Sequence, residues 1–349
     1  MVRVGIAGFG RLVRDYYVPA IYTLPGIQVV AITDPLADSR SAAARRFPGA
    51  QIVSDSEALF EQAQMDALVV ASPPSTHLDW WNEAARRQIP VLMEKPFVLG
   101  GEIARAASSP EARQLLMPNF NRRWWPAYRA MRQLCAEGRV GEIGSARFTL
   151  RVDIAPWCSV TRHRLSPAEG GPLYDLGSSE LDLIEYVLGA SIESVNAHMD
   201  DAAGHEGFLE VTLTNGVRVE CDLAYTARNR ESISIVGSKA SLRLDDPNFA
   251  LHVVARGKRE FPPLRWVQDV AAFGVRAAQR SRSMLRYTIR ASLAEFIDAL
   301  TSGRPFSLGF DDAAHNSACL EAALKSVRNR TRVNVEPNGS VARVFQAQA

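Results

Sequence analysis

Up to about residue 120 the chain alternates short apolar runs with longer segments in which apolar residues recur every three or four positions. Four runs, VRVGIAGFG, IQVVAITD, ALVVAS and IPVLMEK, are rich in Val and Ile and apolar at consecutive positions. A strand covered by helices on both sides has no polar face, so these runs predict the parallel strands of a doubly wound sheet. The Ala- and Arg-rich segments between them, such as DSRSAAARRF and HLDWWNEAARR, read as crossover helices. Beyond about residue 145 the runs lengthen and alternate apolar with polar, as in SARFTLRVDI, FLEVTLTNGVRVECDLAYT, ESISIVGSKASLRLDD and FALHVVARGKREF. Alternation marks strands with one wet face, and predicts a mainly antiparallel sheet. Asn215-Gly216 between two such runs predicts a type I′ hairpin, and Gly237-Ser238 and Gly257 mark further turns. SSELDLIEYVL, SLAEFIDALTSG and DDAAHNSACLEAALKSVRN have helical periodicity and are expected to cover one sheet face. The expected architecture is α/β: a parallel-sheet domain over residues 1–120, then an α/β domain with an open, mainly antiparallel sheet over 121–349.

Composition narrows the function classes. A chain of 349 residues is long for one core and suits about two domains. Its 47% hydrophobic and 22% charged residues are those of a soluble globular protein, and a net charge of +2 carries no general signal for polyanions. Nucleic acid is therefore not an expected partner. No apolar run approaches the roughly 18 residues of a membrane span. The N-terminus runs directly into a strand pattern without a basic leader or cleavage site, which predicts a cytoplasmic protein. Cys135, Cys158, Cys221 and Cys319 are widely scattered, without the paired spacing of a zinc site or the density of a disulfide framework. They are expected to be reduced and buried, and no metal is expected.

Chemistry first appears at the end of the first run. GIAGFGRLV places Gly8, Phe9, Gly10, Arg11 and Leu12 at a strand end before a helix, with Val13 in the position of a third glycine. Gly8 allows the tight turn and Gly10 lets the backbone approach a pyrophosphate resting on the helix N-terminus; the third position governs packing rather than phosphate contact. Asp34 ends the second run, where an acid accepts ribose hydroxyls and repels a 2′-phosphate. This favours NAD over NADP, although Arg40 or Arg11 could receive a phosphate, and Asp34 also reads as a turn residue before Pro35. Ser72 and Pro73 form a rigid loop at the next strand's C-terminal end. His77 there could contact a cofactor, or could cap or pack the helix that it begins.

GFGRLVRDYYVPAI, ASPPSTH, MEKP, NFNRRWWPAY and GGPLYDLG, followed by GSKASLRL and SLAEFIDALTSGRP, resemble in order and spacing the Gfo/Idh/MocA family of sugar and cyclitol oxidoreductases. The resemblance covers nearly the whole chain. It implies an N-terminal Rossmann dinucleotide-binding domain, a C-terminal α/β domain with an open sheet, tightly held nicotinamide, and hydride transfer at a carbon bearing a hydroxyl or ketone. It also implies a sugar-like substrate and a homodimer or homotetramer.

Glu94, Lys95 and Pro96 end a strand at the ligand edge, where Pro96 restricts Lys95 and can adopt a cis bond. A cation beside a carbonyl oxygen stabilises alkoxide character, which makes Lys95 the leading catalytic candidate. In the family, the position four after Asp175 commonly holds a histidine that exchanges the hydroxyl proton; here it is Ser179. On a helix of about 100° per residue, Ser179 lies about 40° and Asp182 about 20° from Asp175, whereas Glu180 points about 140° away. A serine without a base is a poor proton acceptor. Ser179-x-x-Asp182 also has the form of a capping box, the reading favoured slightly for Ser179. Proton transfer then falls to Lys95 oriented by Asp175, with Tyr174 and His163 in reserve.

For substrate contacts, Asn121 and Arg123 match the family pattern, whereas Trp124 and Trp125 read equally as core. Tyr174, Arg162 and Arg164 precede or join the Asp175 turn, and their arginines would suit an acidic sugar. Between Arg256 and Arg290 nine Lys or Arg residues face only Glu260 and Asp269, a pattern read first as a solvated helix. Two functions stand open: an NAD-dependent oxidoreductase, and a catalytically inactive nucleotide-binding sensor or scaffold of the same fold.

Overall fold

The computed structural model describes residues 1–158, 171–199, 205–226, 228–245, 250–255 and 282–336. They fall into two compact units, Met1–Asn121 with Met284–Ala314, and Arg122–Ser283 with His315–Ala349. The first break lies next to the expected boundary. Residues 284–314, expected in the second domain, instead count with the first unit.

The first unit is built on six strands: β1 (Val2–Ala7), β2 (Ile27–Thr33), β3 (Gln51–Val53), β4 (Ala67–Val70), β5 (Val91–Met93) and β6 (Leu116–Pro118). Their order is β3-β2-β1-β4-β5-β6 and every neighbouring pair is parallel. Every residue of β4 and β5 is buried, as consecutive apolar positions require of strands covered on both faces. Strand order reverses between β1 and β4, and open α/β sheets bind ligands beyond the strand C-termini at such a point. The return of residues 284–314 has a packing cause. Phe310, Ala313 and Ala314 belong to the same apolar cluster as Trp81 and Phe97. Phe310 lies 6.0 Å from the Trp81 ring and 5.8 Å from the Phe97 ring.

The second unit carries an eight-stranded sheet of β7 (Ile143–Val152), β8 (Ile192–Met199), β9 (Glu206–Leu213), β10 (Arg218–Tyr225), β11 (Arg230–Gly237), β12 (Ala240–Asp245), β13 (Ala250–Ala255) and β14 (Val333–Asn334). The order is β13-β12-β11-β7-β10-β9-β8-β14. Only the central β7–β10 pair is parallel; the others are antiparallel. Alternation is kept: Leu209, Val211, Val219, Cys221, Leu223, Ile233 and Ile235 are buried on one face. The other face carries Arg147 paired with Glu220 and Arg151 paired with Asp222 at 3.0 Å, lining an open concavity of about 620 Å³ with Phe208.

One turn differs from expectation. Between β9 and β10 only Gly216 has positive φ, at 81°. Gly216 N–H donates to the Leu213 carbonyl at 2.8 Å, and Leu213 N–H to that of Val217 at 2.9 Å. A type I′ turn needs positive φ at both central residues; this is a type I turn followed by a left-handed glycine bulge. The basic stretch lies outside the described residues as far as Ser281, and its last nine residues begin the Arg282–Ser302 helix. Among the described residues no helix is long and apolar enough to cross a membrane.

Phe310→Ala should cost the first unit about 3 to 5 kcal/mol through a cavity against Trp81 and Phe97, read as a lowered denaturant midpoint. A loss below about 1 kcal/mol would mean that residues 284–314 contribute little to that core.

Candidate active site

In the first unit the exits of β1, β2 and β4 meet at Gly8. Its φ is +90°, and a Cβ there would stand 2.8 Å from the Ala71 carbonyl oxygen and 2.9 Å from Ser72 N. Glycine is required twice, by dihedral and by space. At Gly10 a Cβ would meet nothing within 4 Å, so the protein leaves that side of the turn open. A closed crossing followed by an open glycine fits the backbone approach that a pyrophosphate needs. Val13, fully buried, opens a π-helical turn, Val13–Tyr17, ahead of the helix Val18–Thr23. Leu12 is already helical in conformation.

Asp34, expected to face a ribose, braces the backbone at the β2 exit. Its Oδ2 accepts the Phe9 N–H at 2.7 Å and its Oδ1 the Leu36 N–H at 2.9 Å. The carboxylate thus ties the glycine turn to the loop after β2, and each oxygen keeps a lone pair for a hydroxyl. Arg40 donates to the carbonyls of Asp34 and Pro35 at 2.9 and 2.8 Å, and Arg11 pairs with Asp15 at 3.2 Å. Ser72 Oγ lies 2.7 Å from Thr76 Oγ1, which donates to the Pro73 carbonyl at 2.8 Å.

His77, expected as a cofactor contact or a packing residue, takes the packing role. It is fully buried, with Nδ1 2.8 Å from the Pro96 carbonyl and Nε2 3.0 Å from that of Ser72. It braces the loop after β4 against the loop after β5, and only a ring protonated at both nitrogens donates to both carbonyls.

Glu94 also turns inward. Its Oε1 accepts from Tyr17 OH and from Asn119 Nδ2, both at 2.7 Å, and Asn119 Nδ2 lies 2.7 Å from Tyr17 OH. Burial pushes the Glu94 carboxyl up from its ordinary range despite these donors, the Lys95 charge and the Lys95 N–H. Burial, reinforced by Glu94, pushes the Tyr17 phenol well up. Asn119 Oδ1 is buried without a hydrogen-bond partner. Tyr17 and Asn119 escaped sequence reasoning because they stand 77 and 25 positions from Glu94 and meet it only through the parallel sheet. Lys95, half-buried, follows at the β5 exit, and the Lys95–Pro96 bond is cis.

In the second unit the short helix Gly171–Asp175 runs through Leu176 into the helix Gly177–Leu188. Leu176 is helical, and its carbonyl accepts the N–H groups of Ser179 and Glu180 at 3.1 and 3.0 Å. Ser179 is therefore the third residue of the helix and not its N-cap. The capping-box expectation fails because the preceding turn supplies the acceptors. Asp182, expected on a common face with Asp175 and Ser179, is buried in a bidentate pair with Arg123, Nε–Oδ2 2.9 Å and Nη2–Oδ1 2.5 Å. Arg123, expected to bind substrate, is accordingly a structural cation that also lies over the Tyr186 ring at 5.2 Å. Arg122 pairs with the buried Glu180 and with Glu231. Tyr225 OH donates to Asp175 Oδ2 at 3.3 Å, and Tyr174 is buried. Asn121, in the first unit, donates to Thr288 Oγ1 at 3.2 Å. Trp125 is core. Arg162, His163 and Arg164 lie outside the described residues.

Glu94→Gln keeps the acceptor for Tyr17 and Asn119 and removes the charge. Because the folded carboxyl is raised, the wild type should lose stability as pH climbs from the ordinary carboxylate range through the folded value. The variant should therefore gain on the wild type in denaturant melts as pH rises from the ordinary carboxylate range through the raised folded value. A difference independent of pH would contradict a buried, raised Glu94.

The oxidoreductase-family profile with an NAD-binding Rossmann fold matches residues 2–114, and the GFO/IDH/MocA C-terminal domain profile matches residues 128–243. The inositol 2-dehydrogenase of Rhizobium meliloti (strain 1021) is 26% identical over 352 residues, covering 96% of this chain and 99% of that protein. The scyllo-inositol 2-dehydrogenase (NAD(+)) of Bacillus subtilis (strain 168) is 29% identical over 199 residues, 56% of this chain and 57% of that one. In fold, the WlbA dehydrogenase of Bordetella pertussis, solved with NADH and UDP-GlcNAcA, superposes with a TM-score of 0.80 at 21% identity over 96% of this chain and 98% of that one. With both profiles matched in order on the two sheets described above, the chain belongs to the Gfo/Idh/MocA oxidoreductase family.

Proposed function

We propose that the protein is an NAD-dependent oxidoreductase that interconverts a hydroxyl and a ketone on a cyclitol, a sugar or a sugar derivative. The observation that carries this is the β5 exit, where a half-buried Lys95 is held between the Glu94 network and the His77 brace, on the same sheet edge as the Gly8 turn. The relatives named as inositol dehydrogenases support the substrate class. Asp34 supports NAD, since its carboxylate would repel a 2′-phosphate. Gly8, Phe9, Gly10, Arg11 and Leu12 would form the pyrophosphate turn, with Ser72 and Pro73 bounding the nicotinamide half. The bound nicotinamide accepts or supplies the hydride.

Lys95 Nζ stabilises negative charge on the substrate oxygen and moves the hydroxyl proton, while Asp175, steadied by Tyr225, orients the reacting hydroxyl. Tyr174, Asn121 and Arg164 supply further substrate contacts in this reading. The free thiols of Cys135, Cys221 and Cys319 are consistent with a cytoplasmic location, with burial pushing the Cys135 thiol up to about 12. The protein in this reading is a homodimer or homotetramer. Light scattering should then give two or four chains, and a monomer at micromolar concentration would exclude the assembly.

NADH should bind with quenching of tryptophan fluorescence and more tightly than NADPH. On a panel of cyclitols, sugars, sugar acids and nucleotide-sugars, Lys95→Ala should lower turnover by about two to four orders of magnitude. Tight NADH binding without turnover on any member would instead mark a binding protein. Ser179→Ala should leave turnover nearly unchanged and, because Ser179 is inside a helix and not capping it, should be neutral or stabilising by up to about 0.5 kcal/mol. A larger loss of turnover in Ser179→Ala than in Lys95→Ala would put the serine in the proton path.

A further inference from the structure

Within the second unit, three side chains of metal-ligating type converge where the helix Gly177–Leu188 meets the helix Phe310–Asn329. Glu185 comes from the first, and His315 and Cys319 from the second. His315 and Cys319 are four residues apart and share a helix face. His315 Nε2 lies 2.6 Å from Glu185 Oε1 and 3.5 Å from Cys319 Sγ, and the three ligand atoms are within 4.8 Å of one another. Glu185 and Cys319 are each 1% exposed, while the His315 ring reaches solvent. Asn316 Nδ2 donates to the Ser178 carbonyl at 2.9 Å, so the helices are also joined alongside the cluster.

Carboxylate, imidazole and thiol serve two chemistries. In a nucleophilic relay the acid holds one ring nitrogen and the thiol gives its proton to the other. Here acid and thiol both meet Nε2, which leaves no nitrogen to pass the proton across the ring. Convergence on one point is the geometry of donors around a cation. Tetrahedral zinc, with bonds of about 2.0 to 2.1 Å to nitrogen and about 2.3 Å to sulfur, places those two ligands about 3.6 Å apart. That is close to the 3.5 Å found. The Glu185 oxygen, now at hydrogen-bond distance, would need to open to about 3.4 Å. Charge also balances, because a dication with a thiolate and a carboxylate is neutral, and it compensates a buried acid that burial alone disfavours.

We propose that Glu185, His315 and Cys319 form a zinc-binding site, with water on the His315 side as fourth ligand. On binding, the Cys319 thiol proton leaves to solvent and Nε2 gives up its hydrogen, so the site tightens as pH rises. None of these residues belongs to the proposed catalytic set. The ion would pin the helix that begins two residues after Asp175.

The test uses full-length protein stripped with chelator and titrated with cobalt(II). We expect saturation at a single ion per chain, with a sulfur-to-cobalt charge-transfer band that added zinc abolishes. Cys319→Ser should lose the band, and Glu185→Gln should lose saturable binding. Should Cys319→Ser fail to fold, the part-exposed His315 provides a second arm: zinc should raise the melting temperature of the wild type and not of His315→Ala. Absence of the band, its persistence in Cys319→Ser, or an equal zinc shift in His315→Ala would overturn the proposal. NADH binding, measured separately, reports on the oxidoreductase reading and is expected to be the same with and without zinc.

Discussion

One backbone crossing orders the ligand edge of the first unit. With no side chain, Gly8 lies against the Ala71–Ser72 peptide, and its N–H reaches the Thr33 carbonyl at 2.8 Å. Ala71 N–H in turn reaches the Ala7 carbonyl at 2.8 Å, so β1, β2 and β4 end together. Asp34 can then accept the Phe9 N–H, and the π-helical turn beyond can carry Tyr17 to Glu94. His77 extends the same order from the β4 exit to the β5 exit. A side chain at position 8 would part the strands and shift each of these contacts.

Four of the buried acids fall into two contrasting arrangements. In the second unit Asp182, Glu180 and Glu231 meet arginines, and removing one partner of such a pair costs about 3 to 5 kcal/mol because a charge is left stranded. In the first unit Glu94 is held by a phenol and an amide, neither of which carries charge. Hydrogen bonds from neutral donors only partly offset desolvation, and the carboxyl stays raised. The positive charge acting on it is that of Lys95, the neighbour whose N–H it also holds. Glu94 is thereby coupled to the proposed catalytic cation by both charge and backbone, whereas the arginine pairs of the second unit hold helices and strands together.

What the sequence discloses follows the range of each interaction. Strand type was legible because burial on two faces or one writes itself into consecutive or alternating residues, and β4 and β10 show both signatures. The tight glycine turn was legible because Gly8 and Gly10 answer to contacts within one βα unit and its neighbour strand. Phe310 was not, because the reason for its burial lies with Trp81 and Phe97, more than two hundred positions earlier. The side chains of Asp182 and Arg123 were each placed on the correct helix or loop but not with each other, since a helical wheel gives direction and not partner. Ser179 failed for a similar reason: a capping pattern matters only where a helix starts, and the Gly171–Asp175 turn had already started this one.

That displacement bears on the missing histidine. Between Asp175 and Asp182 the polar side chains at 178, 180 and 182 are buried, the last two in arginine pairs, while Asp175 and Ser179 keep partial exposure one helical turn apart. Of the two, Asp175 is the one that orients the reacting hydroxyl in the proposed reaction. A hydroxyl both donates and accepts, so serine can relay a proton, but near neutral pH it does not retain one as a base. Histidine at this position would combine relay and acceptor in one ring. With serine there, the proton in the proposed reaction is left to Lys95, and the helix contributes orientation through Asp175, whose Oδ2 receives the Tyr225 hydroxyl.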